Sequence, residues 1–521
     1  MPARLPARLA VLLALVLALV LGLTGVGLVP AGAGEGTQAA PPSRAVQTAK
    51  AALTAARGAL AGDGREATMA LRDLALTRSS LVGEERAAAD RILARPTDGP
   101  LDPEGYGLFV GSARKCTAVC VHWATSGRHA PPSADDDRDG VPDYAERALK
   151  ILTKVHRTYV KAGYRPPKGD GSLGGDKRTD VYLADIGNQG LYGYCTSDED
   201  LLVGSSPTLW AYCVLDNDYA SSQYSQNTPL DNLRVTAAHE YFHAVQYAYD
   251  AGEDTWLLES TAAWVEDEVF PGIDDNLQYL LQSPLAQPRA SLDESGSLAR
   301  YGGWIFFRHL TERFPQAKGG LPTFVRDVWR QADSRRGAAN RWSVQAVDRV
   351  LRKRGTSMRA AFARFAAENR RARTTYAEGR PNRYPNAPLA DRAVLGARAS
   401  TGWGTLRLDH LAAGTVRLEP KRGLGRAWDV RLELDLPSLV RGGAAVVTSK
   451  PRGGRVTSRL VRTDRDGDGT LRVPFGASEW VEVTLANTSS RYRCWQATSF
   501  ACRGLPLDDQ RIFRLKATTV R

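Results

Sequence analysis

The hydrophobic pattern changes period once along the chain, near Pro385, and that change most constrains the fold. Before it, apolar residues recur at helical spacing in Tyr144 to Ala162, Tyr301 to Phe314, Leu321 to Ala332, Ser343 to Arg354 and Met358 to Arg373. Each stretch reads as one apolar face of a helix. Two segments in the same region, Thr179 to Ala184 and Leu209 to Leu215, read as strands. After Pro385 only short alternating stretches remain: Thr405 to Leu408, Thr415 to Leu418, Val430 to Leu434, Ala444 to Thr448 and Trp480 to Leu485. Gly, Pro and Asp separate them, the signature of a β-sandwich or barrel. The expected class is α+β, with an all-β sandwich domain over 386–521.

Inside the first region lies His239-Glu240-Tyr241-Phe242-His243. Side chains at i and i+4 share a helix face, so two imidazoles at this spacing can bind one Zn²⁺. A bound zinc lowers the pKa of water to about 7, and the intervening Glu240 can take the proton. With 7 histidines in 521 residues, the pattern arises by chance on the order of 0.005 times per chain. The bland alternative is a helix with two satisfied histidines and a surface glutamate. Context favours the metal. Thr228-Pro229-Leu230-Asp231 is a strong helix start, with a hydroxyl cap, a proline at the first helical position and an acid in the first turn. Val235, Ala238, Phe242, Val245 and Tyr249 then form a buried stripe that the histidines flank.

Zinc needs a third protein ligand and an open fourth position. Asp254 to Trp264 reads as a second capped helix ending before Pro271-Gly272, and Glu259 lies one turn into it. Ser260, Ala262 and Ala263 are small enough to let this helix approach the first. Glu266 and Glu268 are the rivals, followed by a histidine or aspartate elsewhere. Thr261 or Glu266 could orient a histidine from behind.

The motif with a downstream glutamate resembles the glutamate-zincin metallopeptidases. The run His239 to Phe270, with Glu259-Ser260-Thr261-Ala262-Ala263-Trp264, is similar to an uncharacterised family of secreted bacterial metalloproteases. The resemblance covers about residues 104–385 and implies a zincin-like, two-lobed metallopeptidase domain. In that setting His239, His243 and Glu259 bind zinc and Glu240 is the base. Tyr301, which follows the third ligand, is the analogous candidate for stabilising the oxyanion, with a packing role as the alternative. The resemblance also implies that the strand at Leu209 to Leu215 is a sheet edge that pairs with extended substrate. Glu259 stands closer to His243 than in the best-known branches, where the longer spacing would fall on Ala262 or Ala263. Tyr249 occupies the place of a metzincin's third histidine, which excludes that pattern.

A second motif is Asp135 to Glu146, a twelve-residue calcium loop. Asp135, Asp137, Asp139, Asp143 and Glu146 fill the side-chain positions, Gly140 the turn and Val141 the carbonyl position. The expected role of Ca²⁺ is structural, with an acidic surface turn as the alternative. Asp464 to Gly469 is a weaker echo. Arg472 and Phe475 stand where ligands would be needed, so a glycine-rich turn between strands is the better reading.

The N-terminus carries Arg4 and Arg8, then an apolar run from Leu9 to Val29, then Ala31-Gly32-Ala33. This predicts a signal peptide over 1–33 cleaved near Ala33, with an uncleaved anchor as the rival. The chain is expected to be secreted and extracellular, with no membrane association after cleavage. Residues 34–103 are rich in alanine and arginine, helical from Arg44 to Ala61 and Glu66 to Ala94, with little to bury. They read as a helical extension or a propeptide. Six cysteines agree with an oxidising compartment. They fall into local pairs, Cys116–Cys120, Cys195–Cys213 and Cys494–Cys502, among fifteen possible pairings. One extended strand would hold Cys116 and Cys120 too far apart to bridge.

The net charge of +12 lies in scattered arginines without a basic block, which argues against a nucleic-acid partner. Protein or peptide substrates are expected, with a cell-envelope polymer as a candidate ligand of the β-domain. Two other classes remain: a non-catalytic secreted binding protein of the same fold, and a zinc amidase acting on cell-wall peptides. An intact Glu240 argues against the first, and only substrate tests separate the second.

Overall fold

The computed structural model describes residues 43–62, 67–98, 105–107, 109–202 and 204–521. The expected signal peptide lies outside the described residues. Residues 44–521 form one compact unit, α+β, helical first and β-rich at the C-terminus. Among the described residues, no helix is long and apolar enough to cross a membrane.

Three helices come first: α1 (Arg44–Leu60), α2 (Thr68–Thr77) and α3 (Gly83–Ile92). The expectation that this segment has little to bury is wrong. Leu53, Leu71, Leu74 and Leu93 are buried in the same apolar core as the rest of the helical region. The polar contacts run equally deep. Arg95, just after α3, is fully buried and pairs with Asp170 (2.7 Å), Asp180 (2.5 Å) and Asp198 (2.8 Å). On α2, Arg72 donates to the carbonyls of Glu253 (2.8 Å) and Ala251 (3.2 Å). A sequence reader counts aromatics and long aliphatics, whereas here alanines and arginine stems fill much of the contact.

Strands β1 (Ser112–Cys116) and β2 (Cys120–Ala124) form a hairpin. The hairpin sets Cys116 directly opposite Cys120, with Cα atoms 4.1 Å apart and a disulfide between them. Helix α4 (Asp143–Ala162) follows, then β3 (Asp180–Ala184), β4 (Gly193–Thr196) and β5 (Tyr212–Asp216). The sheet order is β1-β2-β3-β5-β4, with β2, β3 and β5 parallel and the outer strands antiparallel. The edge expectation needs correction. The strand within Leu209 to Leu215 is β5, which lies between β3 and β4, so the edge beside the site is β4. Its four residues carry too little pattern to be read as a strand.

Helix α5 (Pro229–Asp250) runs beneath this sheet. Thr228 caps it by accepting the Asp231 N–H (3.2 Å). Every residue from Asn232 to Asp250 except Arg234 is buried. The apolar stripe of Val235, Ala238, Phe242, Val245 and Tyr249 is therefore one face of a helix enclosed on all sides. Helix α6 (Thr255–Val269) packs against α5, and its Ser260, Ala262 and Ala263 are fully buried.

From Asp391 onward two sheets pack face to face. One holds Asp391–Leu395, Ala412–Pro420, Gly443–Pro451, Thr457–Leu460 and Ser478–Asn487. The other holds Ser400–Leu408, Asp429–Asp435, Asp468–Pro474 and Arg511–Val520. Leu418, Val430, Leu432, Val483 and Phe513 fill the space between them, as in a β-sandwich. The outer face of the first sheet is covered by helix Met358–Glu368. The remaining cysteines pair as Cys195–Cys213 and Cys494–Cys502.

Candidate metal centre

The helical period brings His239 and His243 onto one face of α5, with ring centroids 4.8 Å apart. The close packing of α6 carries Glu259 to them. Glu259 Oε2 lies 3.2 Å from His239 Nε2 and 3.7 Å from His243 Nε2. One ligand atom from each residue falls within 4.8 Å of the others, and all three residues are buried. No other His, Cys, Asp or Glu among the described residues joins this group. Ala262 and Ala263, at the longer spacing, are core residues.

The rival acids have other partners. Glu266 Oε1 hydrogen-bonds His239 Nδ1, on the side of the ring away from Glu259. Glu268 pairs with Arg308 (3.2 Å), and burial, with Glu378 and Glu312 nearby, pushes its carboxyl up to about 8. His243 is oriented by a residue that motif reading missed: Gln246 Oε1 accepts from Nδ1 at 2.7 Å. Gln246 is held in turn by donating to the Leu258 carbonyl (2.9 Å) and to Thr261 Oγ1 (3.0 Å). Its position three residues after His243 is the helical neighbour that spacing alone would flag. Thr261 thus acts on the site through Gln246.

The electrostatics separate the two histidines. Burial pushes His243 down to about 4, so its imidazole is neutral. Burial also disfavours a charged His239, but Glu259 and Glu266 outweigh it and raise the ring well above its ordinary range. Burial opposes ionisation of Glu259, while His243 and His239 hold its carboxyl below the usual range. Burial pushes Glu266 up to about 7.

The donor set fits a divalent cation. His243 Nε2 and Glu259 Oε1 are buried and have no hydrogen-bond partner among the described residues. An unsatisfied buried polar group costs about 1–3 kcal/mol, and here two of them lie in one cluster. Two imidazoles, of which His243 is neutral, and a carboxylate are a donor set that zinc can take once His239 gives up its proton.

Glu240 lines the cleft over this cluster with Tyr192, Gly193, Thr236 and Tyr301. A Cβ on Gly193 would come within 2.8 Å of Thr236 Cγ2 and 3.0 Å of Glu240 Cγ. Glycine therefore lets the edge strand cross α5 closely. Thr68 Oγ1, from α2, donates to Glu240 Oε2 at 3.0 Å. Tyr301 is buried, its ring 6.1 Å from His239 and stacked on Tyr279 at 4.8 Å.

At the acidic loop, carboxylate oxygens of Asp135, Asp137 and Asp139 lie within 4.8 Å of one another. The chain curls around Asp135, which accepts the N–H groups of Asp139 (3.2 Å) and Gly140 (3.0 Å). Gly140 has φ +87°, the left-handed turn that glycine permits. Asp143, Glu146 and one oxygen of Asp139 have other partners. Asp143 accepts the Asp136 N–H (3.2 Å), while Lys115 Nζ bridges Asp139 (2.8 Å) and Glu146 (2.6 Å). Asp464 accepts the N–H groups of Asp466, Gly467 and Asp468 in a turn between strands, as expected of the weaker echo.

No protein-family model matches the chain, and no curated protein matches it.

Proposed function

We propose that the protein is a zinc-dependent metallopeptidase. The reading rests on one observation above the rest: His239, His243 and Glu259 converge in a buried cluster in which His243 Nε2 and Glu259 Oε1 have no hydrogen-bond partner among the described residues, beside a carboxylate, Glu240, on a cleft. His239, His243 and Glu259 would hold zinc. When bound, zinc supplies the Lewis acidity that makes water a nucleophile near neutral pH and polarises a carbonyl. Glu240 takes the proton from the attacking water and passes it to the leaving amine. Tyr301, on the cleft wall, is the candidate donor to the developing oxyanion. Gly193, on the cleft wall, is where an extended peptide would pass, since the outward N–H of Cys195 on the same strand is taken by Thr68.

The fold reading that accompanies this is zincin-like, with the sheet, α4 and α5 in one lobe and the helices of 304–375 in the other. Three disulfides suit an exported protein. A structural Ca²⁺ at Asp135, Asp137 and Asp139 would require Lys115 to withdraw from Asp139 and Glu146 before the full loop could close around it.

The test is paired. Purified protein is assayed for bound zinc and for casein cleavage beside Glu240→Gln. One zinc per chain is expected in both, with activity lower by about 10²- to 10⁴-fold or more in the variant, the range for loss of a positioned base. A zinc-loaded wild type that cleaves no peptide or protein would end the peptidase reading. Equal cleavage by both proteins would remove Glu240 as the base.

A further inference from the structure

The N-terminal helices meet the site at one atom. Thr68, the first residue of α2, is fully buried. Its hydroxyl accepts the backbone N–H of Cys195 at 3.1 Å and donates to Glu240 Oε2 at 3.0 Å. These two bonds fix each other's direction. An amide N–H can only donate, so the oxygen is the acceptor there, and the single hydroxyl proton is committed to the carboxylate.

The anchor is rigid. Cys195 lies directly opposite Cys213 on β5 and is joined to it by a disulfide. Cα atoms 4.1 Å apart mark a pair that does not exchange ladder hydrogen bonds. The Cys195 N–H therefore points away from β5, toward α2, and Thr68 satisfies it.

Helix α2 is itself held in place. Arg72 grips the carbonyls of Ala251 and Glu253 at the turn between α5 and α6. Arg95, further along the same segment, is the buried partner of Asp170, Asp180 and Asp198. Removing the segment would leave Asp170 and Asp180 buried without that charge, a strongly destabilising change.

We propose that Thr68 is a positioning residue for Glu240, and that helix α2 belongs to the working site and is not a segment to be discarded. The inference deepens the metallopeptidase reading, since it rests on Glu240 as the base. A hydroxyl tethered to one carboxylate oxygen orients the other, and a base gains its rate from being held in the attacking geometry. The positioning path runs from disulfide to strand amide, to threonine hydroxyl, to carboxylate.

The experiment uses the full-length protein with three substitutions at one atom. Thr68→Val keeps the shape and removes the hydroxyl, and Thr68→Ser restores it. Expected are a kcat about 10- to 100-fold lower in Thr68→Val, the range seen when a supporting partner is lost, with KM within about threefold. Thr68→Ser should return kcat to within about threefold of wild type. Zinc content should be the same in all. Affinity for a peptide hydroxamate, measured by calorimetry, should fall with kcat in Thr68→Val and recover in Thr68→Ser. Should Thr68→Val fail to accumulate, Thr68→Ala carries the same comparison without a second methyl against Cys195. The intact mass of the active protein should include residue 68. Unchanged kcat and hydroxamate affinity in the hydroxyl-free variants, or a fully active protein whose chain starts beyond Thr68, would overturn the proposal. A wild type that binds zinc but cleaves nothing removes the peptidase reading instead, and hydroxamate affinity then decides the role of Thr68.

Discussion

His243 and His410 are both buried beside carboxylates, and they end in opposite charge states. His243 has an amide oxygen, Gln246 Oε1, at one nitrogen and, among the described residues, no hydrogen-bond partner at the other. Burial dominates, and the ring is neutral with a bare Nε2 facing Glu259. His410 has a carboxylate at each nitrogen, Asp293 at Nε2 (2.7 Å) and Asp509 at Nδ1 (2.5 Å). Burial lowers that ring too, but the two acids outweigh it and raise it to about 10. Asp293 is completed by Tyr492 Oη–H (2.8 Å) and the Ala501 N–H (3.0 Å). One cluster leaves buried lone pairs unused behind His239, which lines the cleft. The other closes every bond and ties the loop before Tyr301 to the β-sandwich. Proximity of histidine to acid thus says little about metal binding; an unfilled lone pair on a neutral ring says more.

Four experiments break or sharpen that contrast. The largest effect is expected from Glu259→Gln, which should lower zinc affinity by more than about 100-fold, beyond the cost of losing an outer partner. Competition with a chromophoric chelator measures it, and retained tight binding would place the third ligand elsewhere. Next is His410→Leu. Breaking a buried ion pair by removing one partner costs about 3–5 kcal/mol, because Asp293 stays buried and charged. Chemical denaturation should show that loss with zinc content unchanged; a change in zinc content would mean the two clusters are coupled. Third, Glu266→Gln and Gln246→Leu each remove an orienting bond to a histidine of the proposed zinc site and should weaken zinc by about 10- to 100-fold.

The smallest effect is a pH dependence of the closed cluster. His410 is raised from 6.5 to about 10 on folding, so the folded state binds the extra proton. Its contribution is fully present below about 6.5 and is lost as pH rises toward 10. Asp293 and Asp509 are shifted down, despite burial, by their bonds to His410, so their contribution is lost on acidification below the ordinary carboxylate range. The melting temperature should decline between pH 6.5 and 10 in wild type and vary less in His410→Leu. An equal decline in both would assign the alkaline loss to other groups.

How legible the site was in the sequence depended on the range of each interaction. Thr228, Pro229 and Asp231 act within one turn, and the helix start they predicted is the observed one. The Cys116–Cys120 pair is unbridgeable along one extended strand and natural across a hairpin, a difference of chain reversal that composition does not carry. By spacing alone Glu266 suits a zinc ligand or an orienting group, and only the rotation of α6 against α5 separates those roles. Gln246 could have been found from helical spacing. Nothing local marks Thr68, which meets Glu240 across 172 positions of sequence.

The sequence by itself determined the pieces governed by short repeats. The 3.6-residue period put His239 and His243 on one face, the two-residue period announced the C-terminal sheets, and small residues on α6 allowed a close approach. Tertiary structure decided which acid faces the histidines, which strand is the edge, and what holds the Glu240 carboxylate. Those outcomes depend on how separate helices and strands pack around a shared core. Burial acts on whole surfaces, and no single segment contains the information about which partner will cover it.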